Sequence, residues 1–231
     1  MTEVFTVSRV QTLKRRVLRM VIQVIFKLLF KVKISGLEHV PVGEAYVIAS
    51  NHVSHYEPPL LMSFWPEIPE ALAGHDVWDR RYTGIFPRIF GAIPVRRGEY
   101  DRQVIETTIN VLTSGRPVLI APEGGRSNTP GMRRAKPGIA YLIDRAKVPV
   151  LPVAILGTRN DSLNQALKFK RPVLEMRIGE PFIIPEIGGK GEERREARQR
   201  WADEIMLRIA SMLPEEYHGV YAGQVKSYPE S

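Results

Sequence analysis

Three short apolar runs, Ala45–Ala49, Pro117–Ala121 and Val148–Ile155, constrain this chain more than any other feature. Each is too short for a helix, rich in strand formers and apolar at consecutive positions, the pattern of a strand buried on both faces. Between them lie segments with helical spacing: Leu60–Trp65 behind Pro58 and Pro59, Trp78–Phe90, Asp101–Thr113, and Ile139–Arg145 behind Pro137. Strands and helices that alternate in this way predict an α/β fold, a largely parallel central sheet flanked by helices. Ala71–Gly74 reads as a short additional strand, and Val173–Ile178, which alternates, as an edge strand. Glu192–Met212 reads as a charged helix with one apolar stripe through Ala197, Trp201, Ile205 and Ile209.

A chain of 231 residues suits one such domain with a small helical annex. The expected organisation is an N-terminal helical motif over residues 1–34, the α/β domain over 35–215, and a polar, loose tail over 216–231. With no cysteine, the chain has no disulfide, no thiolate nucleophile and no Cys-based metal site.

The net charge of +8 is unevenly placed. Residues 1–34 carry Arg9, Lys14, Arg15, Arg16, Arg19, Lys27, Lys31 and Lys33 against Glu3 alone. The same segment holds an apolar run, Val17–Phe30, interrupted by Arg19, Gln23 and Lys27. On a helix, Arg15, Arg16, Arg19, Gln23, Lys27 and Lys31 fall on one polar stripe. Charges inside the run argue against a spanning helix, and no small-residue cleavage site follows to make it a signal peptide. The expectation is a helix lying in the membrane interface, with Arg15, Arg16, Arg19, Lys27 and Lys31 reaching an anionic surface. The competing reading packs the helix on the domain with a solvated basic face. Nucleic acid is not expected, since the interleaved residues are Leu, Ile and Val rather than stacking aromatics.

Three of the strand segments run into polar clusters. Asn51, His52 and Glu57 follow the first run, Arg96 and Arg97 follow Gly91–Val95, and Glu123-Gly-Gly-Arg126 with Ser127 follows Pro117–Ala121. In open α/β folds the carboxyl ends of strands converge on one crevice. An imidazole backed by a carboxylate can take a proton from a hydroxyl at neutral pH. Gly124 and Gly125 let backbone N–H groups approach a ligand, and guanidinium groups suit a phosphate. The bland alternatives are a surface His–acid pair and an internal Glu123–Arg126 ion pair. His52, His55 and Glu57 lack further ligands to complete a metal site, so none is expected.

Asn51-His52-x4-Glu57, Gly91-x-Ile93-x-Val95-x-Arg97, Pro122-Glu-Gly-Gly-Arg-Ser127 and Val150–Ala154, in that order, resemble the four sequence blocks of the glycerolipid acyltransferase superfamily. Lys136-x-Gly138 matches the pattern that follows the third block. Two departures stand out: Glu57 where the family usually has Asp, and Gly125 and Ala121 where Thr and an aromatic are commoner. The resemblance implies His52 as general base and Glu57 as its orienting acid. It implies Arg97, Glu123, Gly124, Gly125, Arg126 and Ser127 around the acceptor, with Arg96 and Lys136 beside them. No cofactor is implied; acyl-CoA or acyl-carrier protein is the donor thioester and a lysophospholipid, 1-acylglycerol-3-phosphate, the acceptor. Backbone N–H groups in the glycine turn or near Leu151–Val153 are candidates for the oxyanion. The expected place is the cytoplasmic face of a membrane, peripheral or monotopic. A glycolipid sugar hydroxyl as acceptor, and a catalytically silent lipid-binding protein, are the alternative readings.

Overall fold

The computed structural model describes residues 5–225 apart from 82, 97, 99, 100, 128–130 and 159. In chain order the elements are α1 (Arg9–Leu29), β1 (Lys31–Ser35), β2 (Val47–Ser50), α2 (Glu57–Phe64), β3 (Glu70–Gly74), α3 (Ile85–Phe90), β4 (Ile93–Val95), α4 (Arg102–Thr113), β5 (Val118–Ile120), α5 (Gly138–Ala146), β6 (Val150–Leu156), α6 (Asn160–Leu167), β7 (Val173–Ile178) and α7 (Gly191–Ser211). The seven strands form one sheet in the order β1-β7-β6-β2-β5-β3-β4. Every neighbouring pair is parallel except β6 and β7.

Alternation along the strands divides the core in two. Val47 and Ala49 of β2, with Val150 and Ala154 of β6, face a layer containing Val111 of α4, Ile143 of α5 and Ile205 of α7. Ile48, Leu151, Val153 and Ile155 face the opposite layer, with Phe26 of α1, Leu60 and Leu61 of α2 and Phe90 of α3. Burial on both faces is why the central strands read as continuous apolar runs.

Four expectations are corrected. The helix read over Trp78–Phe90 begins only at Ile85, after a 3-10 turn at His75–Val77. Pro87 has no N–H to give an earlier turn, so it sits in the first turn of α3. β7 is not an edge strand: Lys31–Ser35, read as the end of a basic helix, forms the edge strand β1 and pairs with it in parallel. The tail, as far as residue 225, is packed through Tyr217 and Tyr221, both buried, while residues 226–231 lie outside the described residues. The Tyr221 hydroxyl donates to Asp203 Oδ1 at 2.8 Å and accepts from the Ala135 N–H at 2.9 Å.

The fourth correction concerns α1, which is docked the other way round from the expectation. Arg15 is buried and forms a two-pronged ion pair with buried Glu70, at 2.7 and 2.8 Å, while its Nε donates to Phe90 O at 2.6 Å. Arg116 reaches the same carboxylate at 2.7 Å. Arg19 donates to the carbonyls of Ser63 and Trp65, and Gln23 to that of Ser63. The polar stripe therefore grips the ends of α2 and β3. The face left outward is apolar: Val10, Leu13, Val17, Met20, Val21, Val24, Ile25 and Leu28 are 46–65 % exposed. Arg16, Lys27 and Lys31 are exposed as expected; Arg15 and Arg19 do not reach outward.

Candidate active site

The site is built on the carboxyl ends of the three central strands. β2 ends at Ser50, and the next residue, Asn51, is fully buried with both ends of its amide used. It donates to Ile155 O at 2.9 Å and accepts from Ile155 N at 2.8 Å, which pins the exit of β2 against β6. The chain then turns through His52 and enters α2, whose first residue is Glu57 and whose next two are prolines. Prolines suit that place because the first-turn N–H groups have no partner within the helix.

Glu57 is held from three sides. Its Oε2 accepts from Val53 N–H at 2.8 Å and lies 2.8 Å from His52 Nδ1, and its Oε1 accepts from the buried Thr158 hydroxyl at 2.5 Å. A carboxylate receiving Nδ1 fixes the imidazole tautomer: Nδ1 carries the hydrogen and Nε2 keeps its lone pair. The His52 side chain is 17 % exposed and Glu57 1 %, so the acid is sealed behind a ring that still reaches solvent. Such a pair can accept a proton at Nε2 and stabilise the imidazolium from behind.

The loop after β5 holds the backbone of His52. Glu123 is buried and its two oxygens accept from His52 N–H at 2.9 Å and Arg133 N–H at 2.8 Å. Burial pushes this carboxyl up to about 7, against the downward pull of those two N–H donors. The Ser127 N–H donates to His52 O at 2.8 Å and its hydroxyl to Gly131 O at 2.8 Å. Glu123 and Ser127 thus shape the loop around His52, through backbone hydrogen bonds instead of the Glu123–Arg126 ion pair. Gly124 closes the turn on Ala121 O with φ of +67°, and the Lys136 stem lies across it. A Cβ there would meet Lys136 Cγ at 3.0 Å, so the left-handed backbone favours glycine and any side chain would also have to displace the lysine stem.

Arg126 is half-buried beside this turn. Burial, then the Arg126 and Arg80 cations and the His52 ring, hold His55 down at about 4, which leaves it neutral at physiological pH. Arg80 Nη1 lies 3.2 Å from His55 Nε2 and its Nη2 pairs with Asp76 at 3.1 Å. The structure thus brings His52, Glu57, Glu123, Gly124, Gly125, Arg126 and Ser127 together at β2 and β5, with Lys136 at the rim. Arg96 is exposed at the end of β4, three strand positions from β2. Arg97 lies outside the described residues.

Of Leu151–Val153, Pro152 has no N–H and Val153 lies where β6 pairs with both β2 and β7, so neither is placed to serve as an oxyanion donor. Thr158 was missed from sequence, as were the positioning role of Asn51 and the His55–Arg80 pair. Thr158 had a usable signal: it stands two residues beyond the carboxyl end of β6, at the sheet edge where the turn after β2 carries His52. Among the described residues no group of three or more His, Cys, Asp or Glu is placed to hold a metal.

Residues 31–156 match the family model described as Acyltransferase. The 1-acyl-sn-glycerol-3-phosphate acyltransferase alpha of Ovis aries is 24% identical over 166 residues, covering 71% of this chain and 57% of that protein, so the chain spans little more than half of its length. The 1-acyl-sn-glycerol-3-phosphate acyltransferase of Bacillus subtilis (strain 168) is 28% identical over 162 residues, 70% of this chain and 78% of that one. The crystal structure of the 1-acyl-sn-glycerophosphate (LPA) acyltransferase PlsC from Thermotoga maritima superposes with a TM-score of 0.59 at 20% identity, covering 84% of this chain and 80% of that one, and shares its fold. The matched region covers more than half of the sequence and contains His52, Glu57, Glu123 and Arg126, and on that basis the chain belongs to the Acyltransferase family.

Proposed function

We propose that this domain transfers a fatty acyl group from an acyl thioester, acyl-CoA or acyl-carrier protein, to the hydroxyl of a lysophospholipid, 1-acylglycerol-3-phosphate being the acceptor. The observation that carries the reading is the 2.8 Å contact between His52 Nδ1 and a buried Glu57, with Nε2 left as the base. In the reaction Nε2 takes the proton of the acceptor hydroxyl as its oxygen attacks the thioester carbonyl. The tetrahedral adduct collapses, the C–S bond breaks, and the imidazolium returns the proton to the departing thiolate. Glu57 keeps its charge behind the ring throughout. Nothing in this sequence of steps needs an acyl-enzyme. The Arg126 guanidinium supplies a cation for the acceptor phosphate.

The same reading places the domain on a membrane surface. Among the described residues no helix is long and apolar enough to cross a bilayer. The support lies in α1, which spends its arginines on the domain and leaves eight large apolar side chains outward, flanked by Arg16, Lys27 and Lys31. An apolar face rimmed by cations matches an interfacial helix on anionic lipid. Moreover, the end of α1 abuts the catalytic turn: Phe30 stacks on Tyr56 with ring centroids 6.3 Å apart, immediately before Glu57.

The test is thiol release from palmitoyl- and oleoyl-CoA with an acceptor panel. Stimulation by lysophosphatidate is the expected result. Turnover with a glycolipid and none with lysophosphatidate would transfer the assignment to that acceptor. Vesicle binding without turnover on any pair would leave a lipid-binding protein.

A further inference from the structure

The connection from α6 to β7 carries a second feature that the reaction does not use. α6 ends in a hydrogen-bonded cap: Lys170 N–H donates to Gln165 O at 3.1 Å and Phe169 N–H to Ala166 O at 2.9 Å. This is the Schellman arrangement, in which the residue at Phe169 must take a left-handed backbone and is usually glycine. Phe169 has φ of +56°, and Arg171, two residues on, +47°. A large aromatic side chain there is unfavourable in itself, yet it points into solvent, 80 % exposed. Leu167, before the cap, is 63 % exposed, and Lys168 and Lys170 flank the ring. The tip thus bears backbone strain and an exposed aromatic together, and neither helps the isolated domain to fold.

Its place in the fold says what would cover it. Because β7 runs antiparallel to β6, with Leu156 opposite Glu175, the tip lies at the same sheet edge as His52. Lys31 pairs with Val173, so the end of α1 meets it there. Arg171 Nη2 ties the two by donating to Lys27 O at 2.8 Å. The aromatic between cations is therefore joined to the end of the apolar face of α1, and both carry the charge that attracts anionic lipid. We propose that Leu167–Lys170 is a second lipid anchor, which inserts Phe169 into an anionic bilayer beside α1 and seats the His52 edge of the sheet against the membrane. The inference rests on the membrane reading above and deepens it.

The absence of native cysteine makes single-site labelling direct. Full-length Phe169→Cys, Val24→Cys and Ile183→Cys variants would carry a polarity-sensitive fluorophore and be mixed with phosphatidylcholine–phosphatidylglycerol vesicles. Ile183 is 77 % exposed and neighbours Phe182, which pairs with Val150 at the opposite sheet edge, so it serves as the negative control. The expected result is a blue shift and quenching by spin-labelled lipid at 169 and 24, and neither at 183. A response at 24 without one at 169 overturns this proposal and leaves the α1 reading intact; no response at either overturns both. A shift at 169 that depends on protein concentration without lipid would assign the tip to a second copy and also overturn it. Phe169→Gly gives an independent sign: Tm rises as the strain is relieved, while vesicle affinity falls about tenfold. Unchanged vesicle affinity would contradict the proposal.

Discussion

Replacing Glu57 by Gln separates the charge behind His52 from the shape of the site. The amide oxygen can occupy the Oε2 position and accept from Val53 N–H and His52 Nδ1, while its NH2 faces the Thr158 hydroxyl, which can reverse from donor to acceptor. The opposite flip would set NH2 against Val53 N–H and is excluded. The tautomer therefore survives and only the negative charge is lost. A full imidazolium about 4 Å from the carboxylate charge gains about 4 kcal/mol at an effective dielectric constant of 20, which bounds the loss at about a thousandfold in kcat. The expected fall is a hundredfold to a thousandfold, with KM for both substrates nearly unchanged because Glu57, only 1 % exposed, is sealed behind His52. The assay is CoA release followed with a thiol-reactive chromophore, to which the cysteine-free chain contributes no background. Glu57→Asp, which keeps the charge on an arm shorter by about 1.5 Å, should fall between wild type and Glu57→Gln. Glu57→Gln turning over at the wild-type rate with an unchanged Tm would refute the role given to this carboxylate.

Other perturbations follow from the same contacts. Arg15→Ala leaves buried Glu70 with Arg116 as its cation and should cost about 3–5 kcal/mol in chemical denaturation; a loss below about 1 kcal/mol would mean that α1 is not latched by this pair. Val17→Asp with Val24→Asp, on the outward face of α1, should leave Tm within a few degrees and abolish flotation with anionic vesicles; retained flotation would contradict the membrane role. The raised Glu123 carboxyl binds its proton more tightly folded than unfolded, so its contribution is full below about 4.5 and is lost as pH rises to about 7. Relative to Glu123→Gln, wild-type stability should therefore decline by about 3 kcal/mol across that window; a flat difference would show that the two N–H donors offset burial, and a rise that they outweigh it.

What the sequence discloses follows the range of the forces involved. β2, β5 and β6 were legible because burial on both faces makes their apolar runs unbroken, and the motifs at their ends inherit the sheet's geometry. β1 was hidden because Lys31-Val-Lys33 alternates like a surface strand and continues the charge of α1, and β7 was misread as an edge for want of that partner. The orientation of α1 was illegible for a different reason. Its stripe was visible, but whether arginine faces water or protein depends on Glu70, 55 residues away, and a buried acid is what turns the helix round. The tail was misjudged because Tyr217 and Tyr221 gain their seats only against α7 and the turns after β5 and β6. At the site, His52 and Glu57 were suggested by their place after the first buried strand and by the resemblance, whereas Thr158 and the backbone role of Glu123 depend on contacts between distant segments.

The central claim is that the Nε2 lone pair of His52 takes the acceptor's proton. Single-turnover acyl transfer by His52→Ala, measured beside wild type with folding checked by Tm and vesicle binding, tests it most directly. The expected result is a rate lower by about a hundredfold to ten-thousandfold, with binding of both substrates retained. Transfer at the wild-type rate would contradict the account.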